Sequence, residues 1–282
     1  MRRFTTSDGL SLAYRDEGAG FPVLCLAGLT RNGVDFDPVL AAFGAEARTI
    51  RLDSRGRGAS DRDPDFRNYT PAIEARDALE LLDHLGLAQV AVIGTSRGGI
   101  LAMLMALAAK ERLLGIVLND VGPVIEPAGI EAILTYVGLR PPEATLDALA
   151  ARLAAQNATD FPGVGPARWR HWAAGVYAET PDGLELRYDP KIRDAILAQI
   201  EAGPPPDLWP VFDAFEGIPL ALLRGANSRL LSAAAAAEMR ARRPDMICAE
   251  IPGRGHAPFL DEPESLAAIG SLLALARAVP SP

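Results

Sequence analysis

A serine flanked by glycines lies where a predicted strand meets a predicted helix. The segment Gly94-Thr95-Ser96-Arg97-Gly98 fits the pattern G-x-S-x-G, with the apolar run QVAVIG before it and GGILAMLMALAA after it. A tight turn from strand to helix holds such a serine in a strained conformation with its hydroxyl exposed. The amides at the start of the helix point toward developing negative charge. The motif predicts that Ser96 is the nucleophile of an acyl-transfer reaction.

Two other interpretations of this segment compete with that one. The first is an ordinary glycine-rich turn between a strand and a helix, and the second is a nucleotide-binding turn. Against nucleotide binding, the pattern G-x-G-x-x-G is absent, and the turn lies in mid-chain after several predicted strands rather than at the first strand–helix junction. We therefore favour the nucleophile.

Serine needs a general base, and histidine is the usual one near neutral pH. The chain has three histidines. His84 lies in a predicted helix before the strand that leads to Ser96, which favours a surface or packing role. His171 lies in the aromatic segment RWRHW, where it contacts substrate or lies on a helix surface. His256 follows the last predicted strand in the glycine-bounded loop GRGHAP, a place where open parallel sheets put functional groups. We predict His256 as the base.

The elements that must position these residues alternate along the chain. Nearly continuous apolar runs predict buried strands, and helical patterns lie between and after them. A hairpin is predicted at residues 2–16. The predicted strands are residues 23–28, 49–53, 89–94, 115–119, 218–224 and 246–251, and the clearest helices are 73–85, 97–109 and 263–276. This alternation predicts an α/β fold with a mostly parallel sheet between helices.

The pattern changes between the two halves of the predicted sheet. We expect no strands in residues 123–209, but three helices separated by loops rich in proline and glycine, at residues 144–156, 167–179 and 190–202. The chain is therefore predicted to have a core, residues 1–122 and 210–282, and an inserted helical cap, residues 123–209. The cap is rich in aromatic residues, which suggests an apolar pocket. Its predicted lining is Gly28, Trp169, His171, Trp172 and Tyr177.

Composition excludes several partners and compartments. A net charge of −8 argues against nucleic acid or an anionic membrane as the main partner. The longest apolar stretch, residues 100–109, is too short for the roughly 20 residues of a membrane span. No apolar segment of a signal peptide follows the first residues. Cys25 and Cys248 both lie in apolar runs, which predicts two core thiols and a reducing compartment, the cytoplasm. Homo-oligomerisation stays open.

Four segments together resemble the α/β-hydrolase superfamily over nearly the whole chain: LAGLTRNG, DSRGRGASDR, GTSRGG and GRGHAPFLDEP. Within it, the chain is most similar to cap-bearing bacterial carboxylesterases and enol-lactonases, which implies a Ser-His-acid mechanism with no cofactor or metal. The resemblance further implies that the backbone N–H groups of Leu29 and Arg97 form an oxyanion hole. It also implies that the loop at residues 55–62 is structural rather than a phosphate cradle.

The chain departs from this family at the acid of the triad. The family usually places an aspartate in the loop after the strand that returns from the cap, and the matching residue here is Arg229. A positive charge near His256 would disfavour the imidazolium that forms during catalysis. Asp120, at the end of the predicted strand GIVLN, can replace it, as in certain haloalkane dehalogenases. Alternatively, Asp120 orders the loop that enters the cap, or it forms an ion pair with Arg229.

The predicted function is hydrolysis of a small-molecule ester or related acyl substrate. Lactone, thioester or C–C bond hydrolysis would use the same residues, so these reactions stay open as alternatives. The arginine at position 229 also leaves open a weakly active or binding protein on the same fold.

Overall fold

Across residues 1–203 and 206–279, which the computed structural model describes, the chain forms one eight-stranded sheet and one two-stranded sheet. The strands are β1 (Arg2–Thr5), β2 (Ser11–Gly18), β3 (Phe21–Leu26), β4 (Ala47–Leu52), β5 (Val90–Thr95), β6 (Leu113–Asn119), β7 (Tyr177–Thr180), β8 (Gly183–Leu186), β9 (Leu220–Gly225) and β10 (Ile247–Ile251). The large sheet has the order β1-β2-β4-β3-β5-β6-β9-β10. From β4 to β10 its neighbours are parallel, whereas β1 and β2 are antiparallel.

Helices lie on both faces of the large sheet and in the segment between β6 and β9. They are α1 (Asp37–Phe43), α2 (Pro71–His84), α3 (Arg97–Ala109), α4 (Pro127–Leu134), α5 (Leu146–Gln156), α6 (Pro166–Val176), α7 (Ile192–Glu201), α8 (Trp209–Asp213), α9 (Ala233–Arg242) and α10 (Pro263–Arg277), with short 3-10 turns at Gly33–Phe36, Phe66–Asn68 and Lys110–Arg112. Helices α1 and α10 pack on one face, and α2, α3, α8 and α9 on the other. The predicted fold class, a mostly parallel sheet flanked by helices, is confirmed.

Burial on both faces explains why the central strands are so apolar. Every residue of β5 and β6 is buried, and successive side chains of each strand enter opposite core clusters. Ile93 packs toward α10, whereas Val92 packs toward α3. All six predicted parallel strands therefore form, with ends that differ from the predicted ones by a few residues.

The segment between β6 and β9 contains α4 to α8 and the hairpin of β7 and β8. Its apolar side chains form a cluster that includes Val137, Leu149 and Val176, together with Tyr69 from outside the segment. The division into a core (1–122 and 210–282) and a cap (123–209) stays a prediction. Residues 204–205 of that cap and 280–282 of that core lie outside the described residues.

The hairpin corrects two predictions for this segment. We expected no strands in residues 123–209 and a helix over 167–179, but α6 ends at Val176 and β7 begins at Tyr177. The turn Thr180-Pro181-Asp182-Gly183 reverses the chain, with Gly183 at a φ of +104°. Proline, aspartate and glycine in this order are a turn signal. This turn signal predicts the hairpin correctly, whereas the helical pattern wrongly extends α6 past Val176.

Cys248 corrects a third prediction. Cys25 is buried in β3, as expected, but Cys248 is exposed on β10. The reason is that β10 is the edge strand of the large sheet, where side chains are covered less completely than in the centre. Both thiols are free within the described part of the chain.

The DSRGRGASDR loop is held by buried ion pairs. The guanidinium of Arg55 is fully buried and contacts Asp8, Asp63 and Asp77 at 2.6 to 2.9 Å. Its donors are therefore occupied by carboxylates of the protein itself, which fits a structural loop rather than a phosphate-binding one.

Candidate active site

Ser96 lies on a sharp turn between β5 and α3. Its φ is +51°, in the left-handed region that serine seldom occupies, and its amide donates to the carbonyl of Asn119 at 3.0 Å. The two glycines of the motif are required by space. A Cβ on Gly98 would lie 1.9 Å from the carbonyl oxygen of Leu26, and one on Gly94 would lie 2.5 Å from the carbonyl oxygen of Gly98. The local sequence therefore permits a turn that presents the Ser96 hydroxyl at the carboxyl edge of the sheet.

His256 reaches Ser96 from the loop after β10. Its Nε2 lies 2.8 Å from the Ser96 Oγ, and its Nδ1 lies 2.7 Å from Oδ2 of Asp120. These three residues, predicted from separate segments, thus form one continuous chain of hydrogen bonds. The arrangement has the distances that a nucleophile, a general base and an orienting acid require.

Asp120 directly follows β6 and is fully buried. Its φ is +56°, a left-handed conformation that aspartate tolerates better than most residues. Oδ1 accepts the Gly225 amide at 2.9 Å, and Oδ2 accepts the Ser228 hydroxyl at 2.6 Å in addition to its contact with His256. A buried carboxylate is stable only when such donors satisfy it.

Ser228 is a residue of this site that the sequence analysis missed. Its Oγ accepts the amides of Leu230 and Leu231 at 3.3 and 3.2 Å. Because these two bonds use its lone pairs, its single proton is directed to Asp120. The signal for it was its place one residue before Arg229, in the loop where the family usually carries its acid.

Arg229 points away from the site. Its side chain is 68% exposed, and its guanidinium pairs with Asp160 at 3.0 Å. The ion pair between Asp120 and Arg229 that the sequence left open does not form. The charge at position 229 is largely exposed to solvent and is paired with Asp160, so its effect on His256 is weak.

The predicted oxyanion donors lie on either side of Ser96. Leu29 lines the same cavity as Ser96, and Arg97 begins α3 directly after it. Neither amide donates to a backbone oxygen of the described residues. Both are therefore available for an oxygen bound at Ser96.

A buried charge network holds these two donors in place. Arg57 donates to the Leu29 carbonyl at 2.8 Å and to Glu74 at 2.9 Å. Glu74 also receives both forks of the Arg97 guanidinium, at 2.7 and 2.8 Å. One carboxylate thus connects the loop of Leu29 with the first residue of α3. Burial would raise the pKa of Glu74, but the charges of Arg57 and Arg97 outweigh it and lower the pKa.

Two adjoining cavities open at His256. The first, about 100 Å³, is lined by Ser96, His256 and the predicted residues Gly28 and His171. The second, about 490 Å³, lies beside α5 and α6 and is lined by Trp169 and Tyr177, among others. Trp172 borders both cavities. The predicted pocket residues are thus divided between two compartments.

His84, the remaining histidine of the chain, has a packing role. His84 packs against Phe4 and Tyr14, with ring centroids 5.7 and 6.0 Å away, at a distance from the site. The described residues contain no cluster of three or more His, Cys, Asp or Glu side chains that could hold a metal ion. In the same part of the chain, no helix has the length and apolar character that crossing a bilayer demands.

Comparison with known proteins decides the family. A family model described as "Alpha/beta hydrolase family" matches residues 23–269. The chain belongs to the alpha/beta hydrolase family. This alpha/beta hydrolase is 36% identical to the 3-hydroxybutyrate-oligomer hydrolase of Cupriavidus necator, over 87% of this chain and 85% of that protein. It is 28% identical to the 2-(acetamidomethylene)succinate hydrolase of Mesorhizobium japonicum, over 88% and 85%.

A solved structure resembles this alpha/beta hydrolase over almost its full length. It is a crystal structure of an alpha/beta hydrolase from Novosphingobium aromaticivorans, 41% identical, with a TM-score of 0.91 and 97% of each chain covered. The predicted membership of the superfamily is therefore confirmed. Hydrolysis is the activity that this family and these relatives support.

Replacing Ser228 tests its hydrogen bond to Asp120. In Ser228→Ala of this alpha/beta hydrolase, we expect kcat for an ester to fall by roughly tenfold with little change in KM, since a bond to a charged group contributes about 1.5–3 kcal/mol. Ser228→Thr should restore most of the rate, because threonine keeps the hydroxyl. Arg229→Ala in the same loop is the control. If Ser228→Ala keeps the full kcat, or loses no more than Arg229→Ala does, the hydroxyl does not support Asp120.

Replacing Glu74 tests the charge network. Glu74→Gln leaves Arg57 and Arg97 buried without their carboxylate, and breaking a buried pair costs about 3–5 kcal/mol of unfolding free energy. The pKa of Glu74 is lower in the folded chain than its ordinary value of 4.5. Above pH 4.5 the ionised Glu74 therefore stabilises the folded chain. As the pH falls below 4.5, the unfolded chain takes up the proton first, and this stabilisation is lost as the pH approaches the lower pKa of the folded chain.

The measurement for Glu74 is urea unfolding between pH 3 and 7. The difference in unfolding free energy between the wild type and Glu74→Gln should be largest near neutral pH and shrink below pH 4.5. Asp83→Asn, on the same helix but with a side chain that is 65% exposed and pairs with Arg112, should show little change at any pH. A Glu74 variant as stable as the wild type at pH 7 would contradict the network.

Proposed function

We propose that this hydrolase cleaves carboxylic esters through an acyl-enzyme on Ser96. The observation that carries the proposal is the continuous hydrogen-bonded chain from Ser96 through His256 to Asp120, with distances of 2.8 and 2.7 Å. In the first step His256 Nε2 takes the hydroxyl proton as the Ser96 oxygen attacks the ester carbonyl. The bond to the alcohol then breaks, and the alcohol leaves with the proton from His256.

Water completes the reaction by the same route. His256 removes a proton from water, the hydroxide adds to the acyl carbonyl, and Ser96 leaves with the proton. In each step the carbonyl oxygen becomes negative, and the amides of Leu29 and Arg97 are placed to stabilise it. Asp120 holds His256 with Nδ1 protonated, so that Nε2 faces Ser96, and its charge stabilises the imidazolium.

The relative from Cupriavidus necator suggests the kind of ester. Its name describes hydrolysis of 3-hydroxybutyrate oligomers, and we extend that substrate class to this chain as a proposal. The second cavity, about 490 Å³ and bordered by His256, offers room for a unit of an oligomer beyond the ester that Ser96 attacks. The small first cavity, about 100 Å³, suits a short acyl or alcohol group.

Other reactions on the same residues remain the alternatives. Lactones, thioesters and C–C bonds would be attacked by the same nucleophile, and a substrate panel separates them. The argument for a binding protein was the missing acid at position 229. The contact between Asp120 and His256 argues against a binding protein, because Asp120 takes the place of that acid.

We further propose, from the two free cysteines, that the protein works in the cytoplasm.

The nucleophile is tested with Ser96→Ala. We expect this variant to lose hydrolysis of p-nitrophenyl butyrate by several orders of magnitude, since no other described residue lies at hydrogen-bond distance from His256 Nε2. A fluorophosphonate probe should label the wild type and not the variant. Full esterase activity in Ser96→Ala would disprove the mechanism.

The acid is tested with Asp120→Asn. The amide cannot stabilise the imidazolium and favours the wrong tautomer, so kcat should fall by roughly 10⁴-fold. Arg229→Asp is the matched control, because it introduces a carboxylate at the family's usual position without touching Asp120. Near-normal kcat in Asp120→Asn together with a faster Arg229→Asp would mean that Asp120 is structural.

A further inference from the structure

One wall of the cavity at Ser96 carries a positive charge whose carboxylate partner lies outside the cavity lining. Arg168 and His171 lie three residues apart on α6, hence on the same face of the helix, and both line this cavity. Arg31 and Asp35 also line it, but they pair with each other through both carboxylate oxygens. Their charges cancel, and the charge of the wall therefore comes from the side of α6.

The partner of Arg168 does not neutralise this wall. Arg168 Nη2 lies 3.2 Å from Asp261, which is 44% exposed and is not part of the cavity lining. The same nitrogen lies 3.4 Å from the Phe259 carbonyl, and the buried Nε has no acceptor within the described residues. A guanidinium has five N–H donors, and an exposed ion pair contributes little. Arg168 therefore keeps donors for another carboxylate.

The guanidinium is also held in a defined position. It stacks on the Phe259 ring, with its central carbon 4.4 Å from the ring centroid. Phe259 belongs to the segment that carries His256 and borders both cavities. The stack thus places the guanidinium beside the segment of His256, and its planar fork suits bidentate binding of a carboxylate.

We propose that Arg168, with His171 beside it, binds a carboxylate of the substrate, so that the preferred esters are those that carry a free acid group. This rests on the ester hydrolysis proposed above and narrows its substrate class. The chain as a whole carries a net charge of −8 and would repel an acidic ester. A local cation beside Ser96 overcomes that repulsion where the substrate binds.

The test compares acidic and neutral esters on the wild type and Arg168→Gln. One pair is the linear dimer of 3-hydroxybutyrate and its methyl ester, with the acid on the alcohol side. The other is ethyl hydrogen succinate and ethyl butyrate, with the acid on the acyl side. Products are measured by chromatography. For the acidic ester of at least one pair, we expect Arg168→Gln to lower kcat/KM roughly ten- to a hundredfold, mainly by raising KM. Neutral esters should change less than about twofold.

Three variants separate recognition from structure. Arg168→Lys keeps the charge without the fork and should fall between the wild type and Arg168→Gln. Arg170→Gln, on the same helix but paired with Asp147 outside the cavity lining, should change nothing. Asp261→Asn frees Arg168 and should lower KM for the acidic ester. An equal loss on acidic and neutral esters, or no loss on either acid, would overturn the proposal.

A binding measurement keeps this result independent of the proposed function. The 3-hydroxybutyrate dimer and ethyl hydrogen succinate are each titrated by calorimetry into Ser96→Ala and into Ser96→Ala with Arg168→Gln. Weaker binding to the second protein supports the carboxylate site even if Ser96 proves not to be the nucleophile. Equal affinities of the two proteins for both acids would overturn the site and leave the ester mechanism standing.

Discussion

The buried charge of Asp120 is the constraint on which the catalytic side of the molecule depends. A carboxylate with no exposure must be satisfied by donors of the protein. Those donors come from the last residue of β9, Gly225, from Ser228 in the loop after it, and from His256 in the loop after β10. Satisfying one side chain therefore brings three strand ends of the sheet together. His256 in turn contacts Ser96, which directly follows a fourth strand, β5.

A second buried charge supports the opposite side of Ser96. Glu74 is a residue of α2 and is balanced by Arg57 and Arg97, which hold the loop of Leu29 and the start of α3. The two networks do different work. In the mechanism proposed above, the one around Asp120 orients the base, whereas the one around Glu74 positions the amides that would bind the oxyanion. Ser96 lies between them, on a backbone that its glycines allow to turn sharply.

The sequence predicts well what depends on neighbouring residues. Local apolar patterns and glycines predict the turn at Ser96, the six parallel strands and the loop of His256. The structure has these elements at the predicted places. Ser228 was missed because its role depends on a contact with Asp120 across 108 positions, and Glu74 because its partners Arg57 and Arg97 are 17 and 23 positions away. Arg229 was misjudged for the same reason, since the sequence could not show that its side chain turns toward Asp160.

The loop that carries Leu29 is also bonded to the segment inserted between β6 and β9. Arg31 stacks on the Trp172 ring at 4.3 Å and donates to its carbonyl at 3.0 Å, and Asn32 donates to the Gly175 carbonyl at 2.7 Å. Carbonyls near the C-terminal end of a helix need such partners. Helix α6 is therefore anchored at one end by residues next to the oxyanion donor, while its first turn carries Arg168 into the same cavity. A shift of α6 would move Arg168 and strain the loop of Leu29 together, so the side chain proposed to bind the substrate's carboxylate and the amide proposed to bind the oxyanion share one support.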